Sequence, residues 1–191
     1  HPYDENHIIG FGKDTVEVIH KDIHGNERGR TAYYLGMKIA MFDVSDVANP
    51  KELFTEKIGD RGTTSELLYN HKALLFSKEK NLMAFPITVM EVKDEDKAIG
   101  PDQVPKYGSF VFQGAYVYNI DLENGFKLKG KISHISEEEY LKSGSYWYNS
   151  SKNVERILYI NDDLYTISKG MIMANDINNL NLKGQLEIPA N

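Results

Sequence analysis

Apolar residues recur along this chain in short runs, many of them alternating with polar ones. The run Phe126, Leu128, Ile132 faces Lys127, Lys129 and Lys131, and Leu182, Leu186 and Ile188 face Lys183, Gln185 and Glu187. Period two with one charged face predicts half-buried β-strands. Each segment follows a shared motif of apolar residues, Asp or Asn, Val or Ile, then a small polar residue. The copies are Ala40-Met41-Phe42-Asp43-Val44-Ser45, Tyr116-Val117-Tyr118-Asn119-Ile120-Asp121 and Met173-Ala174-Asn175-Asp176-Ile177-Asn178. The first copy leads through Asp46–Pro50 to a poorer alternating segment, Leu53–Ile58. Upstream of each motif stand two apolar runs joined by a tight polar turn. They are Ile8–Gly12 and Thr15–Ile19 around Lys13-Asp14, Ala73–Phe76 and Asn81–Ile87 around Ser77–Lys80, and Arg156–Ile160 and Leu164–Ser168 around Asn161–Asp163. Strand formers flanking Asp, Asn and Lys turns are hairpin chemistry.

The unit is therefore strand, turn, strand, loop, strand, turn, strand, written three times over about residues 3–59, 66–134 and 154–189. The only helical signal is one turn at Ser136–Leu141, with Ser136 as cap and Glu137–Glu139 in the first turn. Repeated four-stranded antiparallel units predict an all-β fold of β-propeller blades, against the alternative of an ordinary antiparallel sandwich.

Three groups of residues carry a family resemblance: Phe42-Asp43-Val44-Ser45-Asp46 through Asn49-Pro50-Lys51, Tyr69-Asn70-His71-Lys72 through Phe76, and Val154–Ile160 with Leu164–Ser168. Together with the opening His1–His7, they resemble secreted bacterial and archaeal proteins with a C-terminal β-propeller domain distantly related to WD repeats. The resemblance implies the fold, a bacterial source and a secreted or extracytoplasmic location; it brings no activity and no catalytic residues. The Trp-Asp dipeptide of WD repeats is absent, since Trp147 is the only tryptophan.

Composition removes several classes of function. There is no cysteine, hence no disulfide scaffold, thiolate metal site or cysteine nucleophile. A net charge of −6 repels nucleic acid. No apolar run is long enough to span a membrane. Because the chain opens on His1, it is expected to be processed or excised from a longer polypeptide, with any export signal or anchor in the remainder.

In a propeller, loops joining strand two to strand three, and strand four to the next blade, emerge on one face. Here those are His20–Arg30, Asp60–Ser65, Met90–Ser109 and Ile135–Asn153, and nearly all the length variation falls on them. A binding surface is expected there. Ile135–Asn153 holds Tyr140, Tyr146, Trp147 and Tyr148, and such aromatics supply rigid contact area to a protein, peptide or glycan. Met90–Ser109 holds an acidic lip of Glu91, Asp94, Glu95, Asp96 and Asp102, or else a solvated loop.

No catalytic constellation and no cofactor motif emerges. Weak metal candidates are His7, His71, His20 and His24. The last pair has helical spacing but brackets a loop, and His7 and His71, each after Asn, suit structural hydrogen bonds. Asp43, Ser45 and Asp46 have calcium's preferred atoms but the look of a turn.

The expected function is a non-catalytic extracytoplasmic binding module acting through the long-loop face. Alternatives are a metal-assisted hydrolase or lyase near the axis, and a purely structural part of a larger propeller. Three blades cannot close a ring of four or more. Either further blades complete it, or two copies pair as a homodimer into a six-bladed ring.

Overall fold

The computed structural model describes residues 1–97, 100–143 and 150–189. Among them the regular structure is nearly all strand, arranged as three antiparallel sheets in sequence order. The first contains β1 (His7–Lys21), β2 (Glu27–Asp43) and β3 (Lys51–Ile58), in that spatial order. The second contains β4 (Leu75–Ser77), β5 (Leu82–Glu91), β6 (Ser109–Asp121) and β7 (Gly125–Ile132). The third contains β8 (Arg156–Ile160), β9 (Asp163–Ile167), β10 (Met171–Asp176) and β11 (Leu182–Glu187). The second and third sheets are four-stranded meanders, as the repeat predicts. One short helix, α1 (Glu137–Ser143), lies between them. Its Ser136 cap is closed both ways: the Glu139 N–H donates to Ser136 Oγ, and the Ser136 N–H donates to Glu139 Oε2 at 2.9 Å.

The first sheet departs from the expected four strands. Lys13-Asp14 is no hairpin turn; it is a bulge inside the single strand β1, where the pairing with β2 shifts register. A two-residue hairpin needs left-handed residues, and neither Lys13 nor Asp14 has positive φ. Both side chains are tied to neighbours instead. Lys13 Nζ donates to the Thr63 carbonyl, and Asp14 pairs with Lys57 at 2.9 Å. The strand runs on, and His20–Arg30 is the end of a long hairpin whose tip is Asp22–Asn26. There Asp22 accepts from the His24 and Asn26 N–H groups, both at 2.9 Å, and Gly25 takes the left-handed conformation. In the place of a fourth strand stands only the stub His1–Pro2, bridged to Ile8.

The sheets stack face to face, with the second in the middle, so its strands are buried on both sides. The run Leu82-Met83-Ala84-Phe85-Pro86-Ile87-Thr88-Val89 is buried without interruption. Pro86 lies past the end of β4, where no ladder with β4 requires its N–H; its carbonyl accepts from Ser65 Oγ. Odd positions, Met83, Phe85, Ile87 and Val89, join Tyr116, Tyr118 and Ile120 against Ile9, Met37, Ile39 and Met41 of the first sheet. Even positions Leu82 and Ala84 join Ala115, Val117 and Ile132 against Ile157, Leu164 and Ile177 of the third. The first interface is filled by rings: Phe85 stacks on Tyr118 at 6.0 Å and meets Phe11 edge-on at 6.2 Å. The second is filled by aliphatic side chains, and within the second sheet β6 and β7 approach closely at Gly114. A Cβ on Gly114 would lie 2.1 Å from the Ile132 carbonyl oxygen.

The repeated Asp motif is turn chemistry. Asp43, Asp121 and Asp176 each accept from the N–H two residues on, at 2.8 Å, and Asp46 closes its own turn onto the Ala48 N–H at 3.0 Å. Hydrogen bonds hold all four carboxyl groups below the ordinary carboxylate range: chiefly the Ser45 side chain for Asp43, the Asn49 side chain for Asp46, and main-chain N–H groups for Asp121 and Asp176.

Candidate binding face

The long connections gather at one end of the stack. The tip of the β1–β2 hairpin reaches the 92–108 connection: the Ile19 N–H donates to the Pro101 carbonyl at 2.8 Å, and Lys21 pairs with Asp102 at 3.1 Å. The 59–63 turn locks beneath them. Asp60 accepts from the Val92 N–H at 2.8 Å, and Gly108 donates to the Arg61 carbonyl at 2.8 Å. Two of the five acidic side chains of the lip pair within the connection, Asp94 with Lys97 and Asp96 with Lys106.

Between hairpin and connection lies a cleft of 420 Å³, with Val16, Val18, Leu35, Pro101 and Pro105 as its apolar wall. Arg61 stands in it. Its guanidinium sits 4.2 Å from the Tyr107 ring centroid and 5.0 Å from that of Tyr33, and Nη1 donates to the Pro105 carbonyl at 2.7 Å. Among the described residues Arg61 forms no ion pair with a carboxylate, while Lys97 and Lys106 on the same rim are paired. Tyr107 is 71% exposed. Rings on two sides hold a flat cation without neutralising it. Sequence reasoning missed this trio, since Tyr33, Arg61 and Tyr107 come from three segments with no common motif.

The residues singled out from sequence fall differently. Tyr146, Trp147 and Tyr148 lie outside the described residues. Tyr140, on α1, is turned into the protein: its ring stacks on Phe110 at 5.6 Å, and its hydroxyl meets Ser133 Oγ at 2.8 Å and takes the Gln113 N–H at 3.2 Å. The four histidines are dispersed. His7 bonds Asp4 at 2.8 Å, and with Lys78 it holds that carboxyl well below the ordinary range. His20 bonds Thr31 at 2.9 Å, His24 sits in the hairpin tip, and His71 lines a cleft beside His1. Among the described residues no three His, Asp or Glu side chains gather closely enough to hold a metal ion. No helix there is long and apolar enough to cross a membrane.

Three sheets of three or four antiparallel strands, stacked in chain order with their long loops at one end, are consecutive blades. The family model described as β-propeller domain matches residues 1–180. The chain belongs to the β-propeller domain family. No curated protein and no solved structure matches it.

Two further groups hold adjacent blades of the propeller together. Gln113 of the second blade grips the chain entering the third: Nε2 donates to the Val154 carbonyl at 3.1 Å, and Oε1 accepts its N–H at 2.9 Å. His134, 5% exposed, lies between Ser168 (Nδ1, 3.0 Å) and Thr166 (Nε2, 2.8 Å). Ser168 Oγ donates its one proton to the Met171 carbonyl, so it must accept from Nδ1–H, and Nε2 then accepts from Thr166. Burial, helped by the nearby Lys152 charge, pushes the imidazole down to about 4 and keeps it neutral. This Ser–His contact resembles part of a nucleophilic pair, but both groups are buried between adjacent blades, where they act as a structural pin.

Proposed function

We propose that the chain is a non-catalytic binding module of an extracytoplasmic β-propeller protein and takes its partner on the long-loop face. The observation that carries this is Arg61, set against the Tyr33 and Tyr107 rings in a cleft with an apolar wall and, among the described residues, in no ion pair with a carboxylate. Arg and Tyr dominate binding energy at protein interfaces, and a pre-positioned guanidinium favours a carboxylate-bearing ligand. The partner class that fits is a protein or peptide presenting an acidic side chain. The extracytoplasmic location is supported by the resemblance to secreted propeller proteins. The test is quantitative capture of partner from the extracellular fraction of the source organism. Arg61→Ala and Tyr107→Ala are each expected to weaken capture about thirtyfold, the scale of losing about 2 kcal/mol at a hot spot. Capture unchanged in both variants, or lost to glycans but not to acidic peptides in competition, overturns the assignment.

A separate observation supports self-association. On the outer face of the third sheet, Leu158, Ile160 and Leu186 are 38%, 56% and 63% exposed, and the register places Tyr165, Ile167 and Ile172 beside them. The first sheet turns Ile8, Gly10, Gly12 and Phe42 outward at the other end of the stack. We infer that the outer third sheet of one copy packs on the outer first sheet of another, giving a six-bladed ring. Light scattering is expected to show twice 21.8 kDa, falling to the monomer mass on Ile160→Asp. A wild-type monomer at high concentration removes this inference.

A further inference from the structure

A cavity of 510 Å³ lies between the second and third blades and shares no lining residue with the Arg61 cleft. Its size is that of a small-molecule site. All its walls come from the middle of the chain: the 3₁₀ turn Glu66–Leu68 and the residues around it, β5 at Pro86–Thr88, and the stretch Asn153–Arg156 that enters β8. These walls are fixed by hydrogen bonds. Thr64 and Thr88 exchange main-chain bonds at 2.9 and 2.8 Å, so their side chains project from one face of the pair. That face is the one on which Leu82 and Ala84 of β5 meet the third blade. Ser65 Oγ donates to the Pro86 carbonyl and accepts the Leu67 N–H at 3.2 Å, which seats the 3₁₀ turn on β5. Gln113 grips Val154 and so sets the position of Asn153 and Glu155 on either side of it.

What sets the cavity apart is how many polar groups on these fixed walls are unengaged. Among the described residues the side chains of Thr64, Tyr69, Thr88, Asn153 and Arg156 make no hydrogen bond and no ion pair. Asn153 is the most telling, because its Oδ1 is buried without a partner and the desolvation of that oxygen is uncompensated. Turning the amide toward a ligand breaks no hydrogen bond and gains one. Tyr69 is 80% exposed and offers an open aromatic ring. The charges are mixed. Arg156 is the cation of the wall, and Glu66 and Glu155 are its carboxylates; Glu66 also takes the Asn70 amide at 3.1 Å, and Glu155 lies 3.5 Å from Lys169.

We propose that this cavity is a binding site for a neutral saccharide. A small anion would meet Arg156 but also the two carboxylates, and a small cation would meet the carboxylates but also Arg156. An apolar ligand would cover the unengaged groups and leave them without partners. A sugar hydroxyl both donates and accepts. One sugar ring can therefore give protons to Asn153 Oδ1 and Glu66 while it accepts from Arg156 and from the hydroxyls of Thr64 and Thr88. The C–H face of the same ring stacks on Tyr69, an aromatic side chain with a large apolar surface and a polar tip. The site binds without a reaction, and it fills independently of the Arg61 cleft.

Amide NMR titration of the intact chain tests it, with glucose, galactose, mannose, N-acetylglucosamine and cellobiose as neutral probes and glucuronate and glucosamine as charged controls. At least one neutral probe is expected to bind and to shift the amides of Thr64, Thr88 and Val154, while those of Tyr33 and Tyr107 stay in place. Both charged controls are expected to bind more weakly than the best neutral probe. Tyr69→Ala, at an exposed position, is expected to weaken that binding about fivefold or more with the Tm unchanged, and Arg156→Ala by a similar factor. Arg61→Ala is expected to leave it unchanged, which separates this site from the partner cleft. Any of three results overturns the proposal: no neutral probe shifts the Thr64, Thr88 and Val154 amides, a charged control binds more tightly than every neutral probe, or Tyr69→Ala binds as well as the wild type.

Discussion

His134 makes the stability of this propeller depend on pH between neutrality and about pH 5. The folded protein holds the imidazole at about 4 against an ordinary 6.5, because the ring is buried between Thr166 and Ser168 with Lys152 nearby. A base whose pKa is lowered on folding binds more protons when unfolded. Its contribution is therefore fully present above about pH 6.5 and lost as pH falls toward about 4. Between about pH 7.5 and about pH 5, the linkage integral for these two values comes to about 2 kcal/mol. Urea unfolding of the intact chain reads this directly: for a slope of about 2 kcal/mol per molar, the midpoint falls by about 1 M. His134→Gln removes the titration and is expected to flatten the profile between those two pH values, while lowering stability at neutral pH. Parallel wild-type and variant profiles would refute the assignment. If the variant fails to fold, the wild-type imidazole resonance decides the question, since titration near 6.5 contradicts a buried neutral ring.

Other expectations follow from the same contacts. Gln113→Leu strands the Val154 N–H and carbonyl between the second and third blades, and should cost about 2–3 kcal/mol by urea unfolding. Tyr118→Phe removes a buried hydroxyl without a hydrogen-bond partner and should leave stability equal or raised by about 1 kcal/mol; a loss of that size would reveal a hidden partner. Gly114→Ala drives a Cβ into the Ile132 carbonyl and should lower the Tm sharply, with exchange increased along β7. Asp121→Ala opens the Asp121–Asn124 turn and should lower the Tm at neutral pH. Because that carboxyl is held below its ordinary range, the difference from wild type should vanish once acid protonates it.

The fold was legible where strands are short and turns carry their own chemistry. The second and third blades follow the alternating runs and Asp-containing turns closely, since an Asx turn is a local hydrogen bond that needs only residues two or three apart. The first blade was misread because Lys13-Asp14 has turn composition but lies mid-strand. Its side chains are claimed by Thr63 and Lys57, some 40–50 positions away, and no local rule registers them. The candidate site was the least legible part. The loop lengths marked the end of the stack where the long connections lie, but Arg61 meets Tyr33 and Tyr107 only when the 59–63 turn, the 92–108 connection and β2 are assembled.

By itself, then, the sequence determined the class of the fold, the number of sheets, most strand boundaries and the end of the stack that carries the long loops. These depend on period-two burial and on turns closed within a few residues. Only the tertiary structure decided that Lys13-Asp14 lies inside a strand, that Gln113 and His134 fasten neighbouring blades, and that Arg61 lies against the rings of Tyr33 and Tyr107. Each depends on groups distant in the chain meeting at hydrogen-bond or ring-contact range, and such a meeting exists only after the sheets have packed.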